Sequence, residues 1–498
     1  MRILLVKPNP QLLVARRLQE GFLHLEPLEL EMVAGGIPPD DEVVIQDLSF
    51  EKDPVIGFKD KLQQFDPQIV GFTGYSTQAA MVKSLAALAK SIKPGIITVV
   101  GGTHATIIPA DYNVEGIDLI VRGEGGTAFG GIVKRYKKNE PLSFGDTVLS
   151  AADPDFEAKA AQLPPEFPDV EDIPLARRDL VDRSRYFCVW TSSTEKKLET
   201  IFPRTASVRT STGCAFTCSF CVVHHLMRGK YLQRRPEDVV SEIEKIPEDH
   251  IYFVDDETFL NSDRMTKTAN LLIEKGIKKK YISWARSDTI IKHPELFRLW
   301  KKAGLSVVYV GLEAMVGSRL DKYNKRTNVD INRQAVELLR EIGITLHASF
   351  MVDPDFSVED FRMLEKEVIK VCPAEVSFTV FSPSPGTELW KSHKEDYIVD
   401  PYLYYDCMHT ILPAKLDLKL FYAHFAKLSR VAMQANPLRV NKVKVPFREI
   451  IKIIGLGTRY ILALKNIYKA YLPNNVLNPC ETAIKIKKTA EGLARLKG

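Results

Sequence analysis

Cys214-Ala-Phe-Thr-Cys218-Ser-Phe-Cys221 follows directly on a short apolar run, Ala206–Thr210. That pairing decides how the chain is read. Three cysteines at C-x3-C-x2-C spacing sit on one tight loop after a strand-like segment, and a β/α alternation starts there. The further strand candidates are His250–Val254, Tyr281–Ala285, Val307–Leu312, Thr345–Met351 and Glu375–Phe381. Between them lie helix-like stretches at Pro236–Lys245, Asp263–Lys275, Pro294–Ala303, Asn332–Ile342 and Val358–Val371. Pro236 and Pro294 suit a first helical turn, where the missing N–H costs nothing. Six β/α units predict a partial or complete barrel, with its chemistry at the C-terminal ends of the strands. The cysteine loop falls at that end.

Upstream, a second alternation fills the first 138 residues. Ile3–Val6, Glu42–Leu48, Gln68–Phe72, Ile96–Val100 and Asp118–Val121 are short, continuously apolar runs. Such runs are expected of a parallel sheet covered on both faces, here a flavodoxin-like, doubly wound domain. Prolines at 141, 154, 164, 165, 168, 174 and 203 interrupt residues 139–204, which read as a linker. The expected organisation is therefore 1–138, a flavodoxin-like domain; 139–204, a proline-rich linker; 205–390, the barrel; and 391–498, a helical C-terminal region with a basic amphipathic tail.

The 498 residues are 45% hydrophobic and 26% charged, ordinary for a globular protein. No apolar run reaches the ~20 residues of a spanning helix, and the start, MRILLVKPNP, lacks signal-peptide character. A cytoplasmic location is expected, with peripheral contact on the inner membrane face as an option. Seven cysteines argue against a disulfide scaffold. Net charge is +5, but residues 431–498 hold 13 Lys and Arg against 3 Asp and Glu, leaving the rest with 55 against 60. A basic tail on an acidic body suggests anionic partners. Residues 449–472 form a basic amphipathic stretch, which can be read as a membrane-surface helix or as a packing helix with a solvated face.

Three thiolates on one loop can hold three corners of a cubane iron–sulfur cluster and leave one iron open. Zinc, with His224 or His225 completing the ligand set, is the alternative. The loop resembles the signature of the radical S-adenosylmethionine (AdoMet, SAM) superfamily. The resemblance implies that Cys214, Cys218 and Cys221 hold a 4Fe–4S cluster and that Phe220 packs near the adenine. It further implies that Asp255-Asp256-Glu257 receives the methionine amino group. Arg286 or Ser287, within Trp284-Ala285-Arg286-Ser287-Asp288, would meet the carboxylate, and Glu313 of Gly311-Leu312-Glu313 a ribose hydroxyl.

Glycine-rich turns end three N-terminal strands: Gly71-Phe72-Thr73-Gly74-Tyr75, Gly101-Gly102-Thr103-His104-Ala105-Thr106 and Arg122-Gly123-Glu124-Gly125-Gly126. Glycines there permit close backbone approach to a ligand. Ahead of a radical SAM domain they resemble the cobalamin-binding module of B12-dependent members. That implies cobalamin contacts at Thr73, Gly74, Tyr75, Gly101, Gly102, His104, Thr106, Gly123 and Glu124. The first βα loop, Lys7-Pro8-Asn9-Pro10-Gln11, lacks D-x-H-x-x-G. Cobalamin is therefore expected without a histidine on cobalt, with His104 in the nucleotide-tail groove. A bare domain binding FMN or nothing is the rival.

Over most of its length the chain resembles the hopanoid C-3 methylase type. Lys280–Ile290, Ala348–Phe356 and Tyr405–Leu416 carry this likeness. It implies methylation of an unactivated carbon in a membrane lipid, through a 5′-deoxyadenosyl radical and methylcobalamin. One AdoMet supplies the methyl group, another the radical, and a flavodoxin or ferredoxin the electrons. Tyr405, Asp406 and His409 are candidates for the substrate channel. Archaeal ring synthases that form carbon–carbon bonds in tetraether lipids are an alternative with similar architecture. A cobalamin- or cluster-based sensor is another, but it needs an output domain, and none is evident. No nucleic-acid partner is expected.

Overall fold

The computed structural model describes residues 1–191, 195–440, 442–472 and 475. Most of the far basic tail, residues 476–498, lies outside the described residues.

The N-terminal sheet contains β1 (Arg2–Lys7), β2 (Glu42–Asp47), β3 (Ile69–Thr73), β4 (Ile97–Gly101), β5 (Leu119–Val121) and β6 (Val148–Leu149), in the order β2-β1-β3-β4-β5-β6. The first five are parallel and correspond to the five predicted runs. Ile3 to Val6 are at most 1% exposed because helices cover both faces. One face packs Phe58, Leu62 and Leu85, the other Leu30, Phe129 and Ile132. β6 was not expected. It comes from the proline-rich stretch and pairs antiparallel with β5.

The second sheet contains β7 (Thr205–Val208), β10 (His250–Phe253), β11 (Lys280–Ala285), β12 (Leu305–Glu313), β13 (Thr345–Val352) and β14 (Glu375–Val380). All are parallel, in the order β14-β13-β12-β11-β10-β7. With β7 and β14 as its edges, the sheet is a curled half-barrel, the partial form of the predicted barrel. Pro236–Lys245, Pro294–Ala303 and Val358–Val371 are helical over the predicted ranges. Between β7 and β10, the hairpin of β8 (Ser211–Gly213) and β9 (Tyr231–Gln233) closes the neck of the cysteine loop. Gly213 sits there at φ +96°, and a Cβ on it would collide with the Lys230 carbonyl oxygen. Only glycine suits that neck.

Residues 139–204 do more than link the two sheets. Arg178 of this stretch pairs with Glu26 of the N-terminal domain and with Glu242 of the helix after the cysteine loop (2.6 Å), and donates to the Ser207 carbonyl on β7 (2.6 Å). The Glu26 carboxylate also accepts from the Ser207 N–H at 2.7 Å. One guanidinium thus ties both domains together with bonds that are largely desolvated. The C-terminal helices Leu418–Ala435 and Phe447–Lys465 complete the molecule, the second packing on the first and on Leu13–Gly21.

Candidate active site at the facing sheet ends

The cysteine loop is held against the ends of the half-barrel strands. Arg286, just after β11, lies with its guanidinium 3.7 Å over the Phe216 ring, and its Nη1 is 3.8 Å from Cys218 Sγ. Asp288 orients that guanidinium through two bonds of 2.9 and 3.0 Å, and the Lys325 carbonyl accepts from it at 2.6 Å. Lys325 pairs with Glu313 at 2.8 Å. Burial works against the lysine's charge, yet Glu313, helped by Cys218, holds its pKa above the usual range. Glu313 adopts φ +57°, a left-handed conformation costly for a residue with a Cβ. Gly311 clears the space for this pair, since a Cβ there would strike the Glu313 carboxylate. Two buried cations therefore stand behind Cys218.

Burial pushes the Cys214 thiol up to about 11 and the Cys221 thiol up to about 12, so cluster ligation must displace protons. Among the described residues, no three His, Cys, Asp or Glu side chains converge to hold a single metal ion. The cysteines and His224 or His225 therefore do not form a ready mononuclear zinc site. A cubane needs no such convergence, because each thiolate binds a different iron.

The three acidic residues after β10 separate in role. Asp255 accepts from Thr210 N (2.6 Å), Thr210 Oγ1 (2.5 Å) and Ser211 N (3.0 Å), so its carboxylate is committed to the corner between β7 and β8. This departs from the expectation that all three receive AdoMet. Asp256 accepts from Gly213 N at 2.8 Å, faces Arg209 and has a pKa raised by burial. Glu257 is 2% exposed and its Oε1 has no hydrogen-bond partner. Burial pushes its pKa up to about 8. A buried, unpaired carboxylate oxygen fits an ammonium group, the chemistry of the AdoMet amino end. Ser287 does not fit its expected role: its buried hydroxyl donates to Asn332 Oδ1 at 2.7 Å. The Phe220 ring is half-buried, 6.0 Å from Tyr323.

A cavity of about 430 Å³ lies between the two sheets' C-terminal ends. From the N-terminal domain, Thr73, Tyr75, Gly101, Gly102, Thr106, Gly123 and Glu124, all among the expected cobalamin contacts, line it. The facing wall includes Arg209, Thr212, Val222 and Asp256, and residues 173–176 of the proline-rich stretch close one side. Gly102, at φ +96°, would place a Cβ 3.0 Å from the Gly74 backbone, so the turn is built for bare main chain. Gly74 supports this turn without lining the cavity. The Glu124 carboxylate caps the helix Gly125–Lys137 through Gly126 N (2.6 Å) and Thr127 N (2.8 Å). A broad cavity edged by open backbone fits the face of a large planar cofactor.

His104 does not line this cavity, contrary to expectation. It is buried, with Nδ1 3.0 Å from Ser76 Oγ and Nε2 2.9 Å from Asp111 Oδ2. Both ring nitrogens are engaged. His24 is also absent from the lining; it stacks on Phe50 at 4.4 Å.

The channel candidates fare unevenly. The Tyr405 hydroxyl bonds Ser384 Oγ beyond the end of β14, and its ring meets Trp390 edge-on. Asp406 accepts from Met408 N and His409 N, both at 2.8 Å, and pairs with His409 Nδ1 at 3.0 Å. His409 is 3% exposed and packs against Tyr404 and Tyr471. Asp406 and His409 thus form a capped, buried turn rather than a channel wall. Sequence reasoning missed Arg209 and Lys325, single cations with no motif spacing to mark them.

The half-barrel with its three-cysteine loop and the doubly wound domain facing it define a two-module enzyme. The radical SAM superfamily matches residues 208–368, and the B12 binding domain matches residues 22–133. The hopanoid C-3 methylase of Methylococcus capsulatus is 30% identical over 487 residues, covering 96% of this chain and 88% of that one. An anaerobic magnesium-protoporphyrin IX monomethyl ester cyclase of Cereibacter sphaeroides is 28% identical, covering 72% of this chain and 58% of the cyclase. Among solved structures, the radical SAM methyltransferase TsrM from Kitasatospora setae shares the fold, with TM-score 0.62, 15% identity and 99% of each chain covered. The chain belongs to the cobalamin-dependent radical SAM methyltransferase family. Its cofactors are a 4Fe–4S cluster, AdoMet and cobalamin.

Proposed function

We propose that this enzyme methylates an unactivated ring carbon of a hopanoid-like membrane lipid, at the C-3 position. The observation that carries this reading is the 30% identity to a hopanoid C-3 methylase, spread over nearly the full length of both chains. When bound, the cluster and AdoMet supply a radical that removes hydrogen, and cobalamin supplies the methyl group. Cys214, Cys218 and Cys221 hold the cluster. Glu257, with Asp256, takes the AdoMet amino group, and Arg286 and Lys325 set positive charge behind Cys218. The turns at Thr73–Tyr75, Gly101–Gly102 and Gly123 would admit cobalamin, while His104 stays engaged by Ser76 and Asp111. Residues 1–138 and 205–390 act as the cobalamin and AdoMet units. A flavodoxin or ferredoxin delivers electrons, and the enzyme works on the cytoplasmic face of a membrane.

The test is anaerobic reconstitution with cluster and cobalamin, followed by methyl-labelled AdoMet and extracted hopanoid. One label per lipid, on the A ring, is expected. AdoMet cleavage with an unlabelled, ring-closed lipid would replace methylation by cyclisation. Cleavage without any change in the lipid would refute the substrate.

A further inference from the structure

The helix Phe447–Lys465 shows two faces. Its inner face is fixed to the body: Glu449 accepts from Thr200 Oγ1 (2.9 Å) and Ile201 N (3.3 Å), Leu456 packs on Gly21, and Gly457 sits against Met433. Its outer face is unusual for a surface. Phe447 is 76% exposed, Ile451 and Ile454 57% each and Leu462 52%. At 100° per residue these four fall within one narrow stripe. Arg448, Lys452 and Arg459 form a row along one shoulder of it. The helix's one acidic residue, Glu449, is turned inward. The outer face therefore carries apolar groups and cations and no carboxylate.

A second group of cations leads into the helix. Lys196 and Lys197 lie beside Lys444, joined by main-chain bonds from Leu198 N to Lys444 O and from Lys444 N to Lys196 O, both 2.9 Å. These three lysines and Lys442 are exposed, and none has an ion-pair partner among the described residues. Two stretches far apart in sequence thus bring four unpaired lysines together, against the one exposed carboxylate of Glu199, since Glu195 is paired with Lys280.

We infer that this face is a membrane-docking surface for a bilayer carrying anionic headgroups. Apolar side chains in a narrow stripe enter the headgroup–acyl boundary, while cations at their flank meet phosphates. A second copy of the chain is a poorer occupant, because pairing this face with itself would oppose like charges. No described helix is long and apolar enough to cross the bilayer, so the contact is at the surface. The inference rests on the lipid reading above and specifies how the enzyme meets its substrate's phase.

Flotation of the full-length, cofactor-loaded protein with vesicles tests it without any turnover. Phosphatidylcholine vesicles are compared with vesicles of phosphatidylcholine and phosphatidylglycerol. The protein is expected to float with the anionic vesicles and to remain below with the neutral ones. The pairs Ile451→Ser with Ile454→Ser and Lys196→Glu with Lys444→Glu should each reduce flotation by roughly tenfold. Circular dichroism and lipid-free AdoMet cleavage should be unchanged. Absence of parent flotation, or equal flotation of the variants, would overturn the inference. So would light scattering that finds a dimer converted to monomer by the isoleucine changes. Methylation of detergent-dispersed lipid by a protein that does not float would reject docking and leave the substrate reading standing.

Discussion

The two sheets turn the C-terminal ends of their parallel strands toward each other, and those ends differ in kind. The N-terminal sheet clears space. Gly101, Gly102 and Gly123 leave bare backbone at the cavity wall, and the nearby histidine and aspartate are turned to each other. The half-barrel fills its end with charge: Glu257, Arg286, Glu313 and Lys325 are buried there, and Asp256 stands at the cavity wall. Bare backbone suits a broad, rigid ligand held by shape and main-chain contacts. Buried charge suits a small zwitterion, whose ammonium and carboxylate need fixed partners away from water. The contrast is what the proposal of a different cofactor at each sheet end would require.

Breaking the charged end has the largest expected effect. Under the proposed ligand set, Cys218→Ala would remove one corner of the cluster, along with the sulfur that Arg286 touches. Iron content should fall, and AdoMet cleavage should drop to background, while cobalamin retention stays. Full retention of iron would show that the loop is not the ligand set.

Next is Glu257→Gln. Losing a buried charged acceptor should weaken AdoMet binding by about ten- to a hundredfold, from ~1.5–3 kcal/mol, measured by calorimetry. The same change should stabilise the AdoMet-free protein at higher pH. The folded pKa of about 8 lies above the ordinary value of 4.5, so the folded state keeps a proton that the unfolded state loses. Parent stability therefore falls as pH rises from about 4.5 to about 8, and the glutamine variant lacks that slope. At pH 8 the variant should gain on the order of 2–4 kcal/mol. Parallel pH profiles would contradict the burial argument.

Gly102→Val sharpens the other side of the comparison. Its φ of +96° and the Gly74 backbone 3.0 Å away make a side chain costly, by roughly 1–3 kcal/mol. Cobalamin retention should weaken by roughly tenfold, with iron content unchanged. Equal loss of both cofactors would mean that the two walls are not separable.

Much of this was legible in the sequence because parallel strands covered on both faces are continuous apolar runs. All eleven such runs became strands. What escaped notice was short or solitary. Val148–Leu149 is two residues among prolines, and the hairpin strands Ser211–Gly213 and Tyr231–Gln233 are three residues each, separated by the cysteine loop. The cysteines and glycines were readable because their spacing or backbone freedom marks them. The acidic triplet and the Tyr405–His409 segment were readable only as chemistry. Which carboxylate caps a turn depends on the N–H groups brought near it in space, as Thr210 and Ser211 are to Asp255. Lys325 and Arg209 acquire meaning only when folding sets them beside Glu313 and Asp256.

The central claim is that the two sheet ends face each other across one cavity, which would bring cobalt and cluster close together. Electron paramagnetic resonance of the enzyme holding Co(II) cobalamin and a reduced cluster tests this directly. Dipolar coupling that broadens both signals relative to singly loaded samples is predicted. A spectrum equal to the simple sum of the two would contradict it.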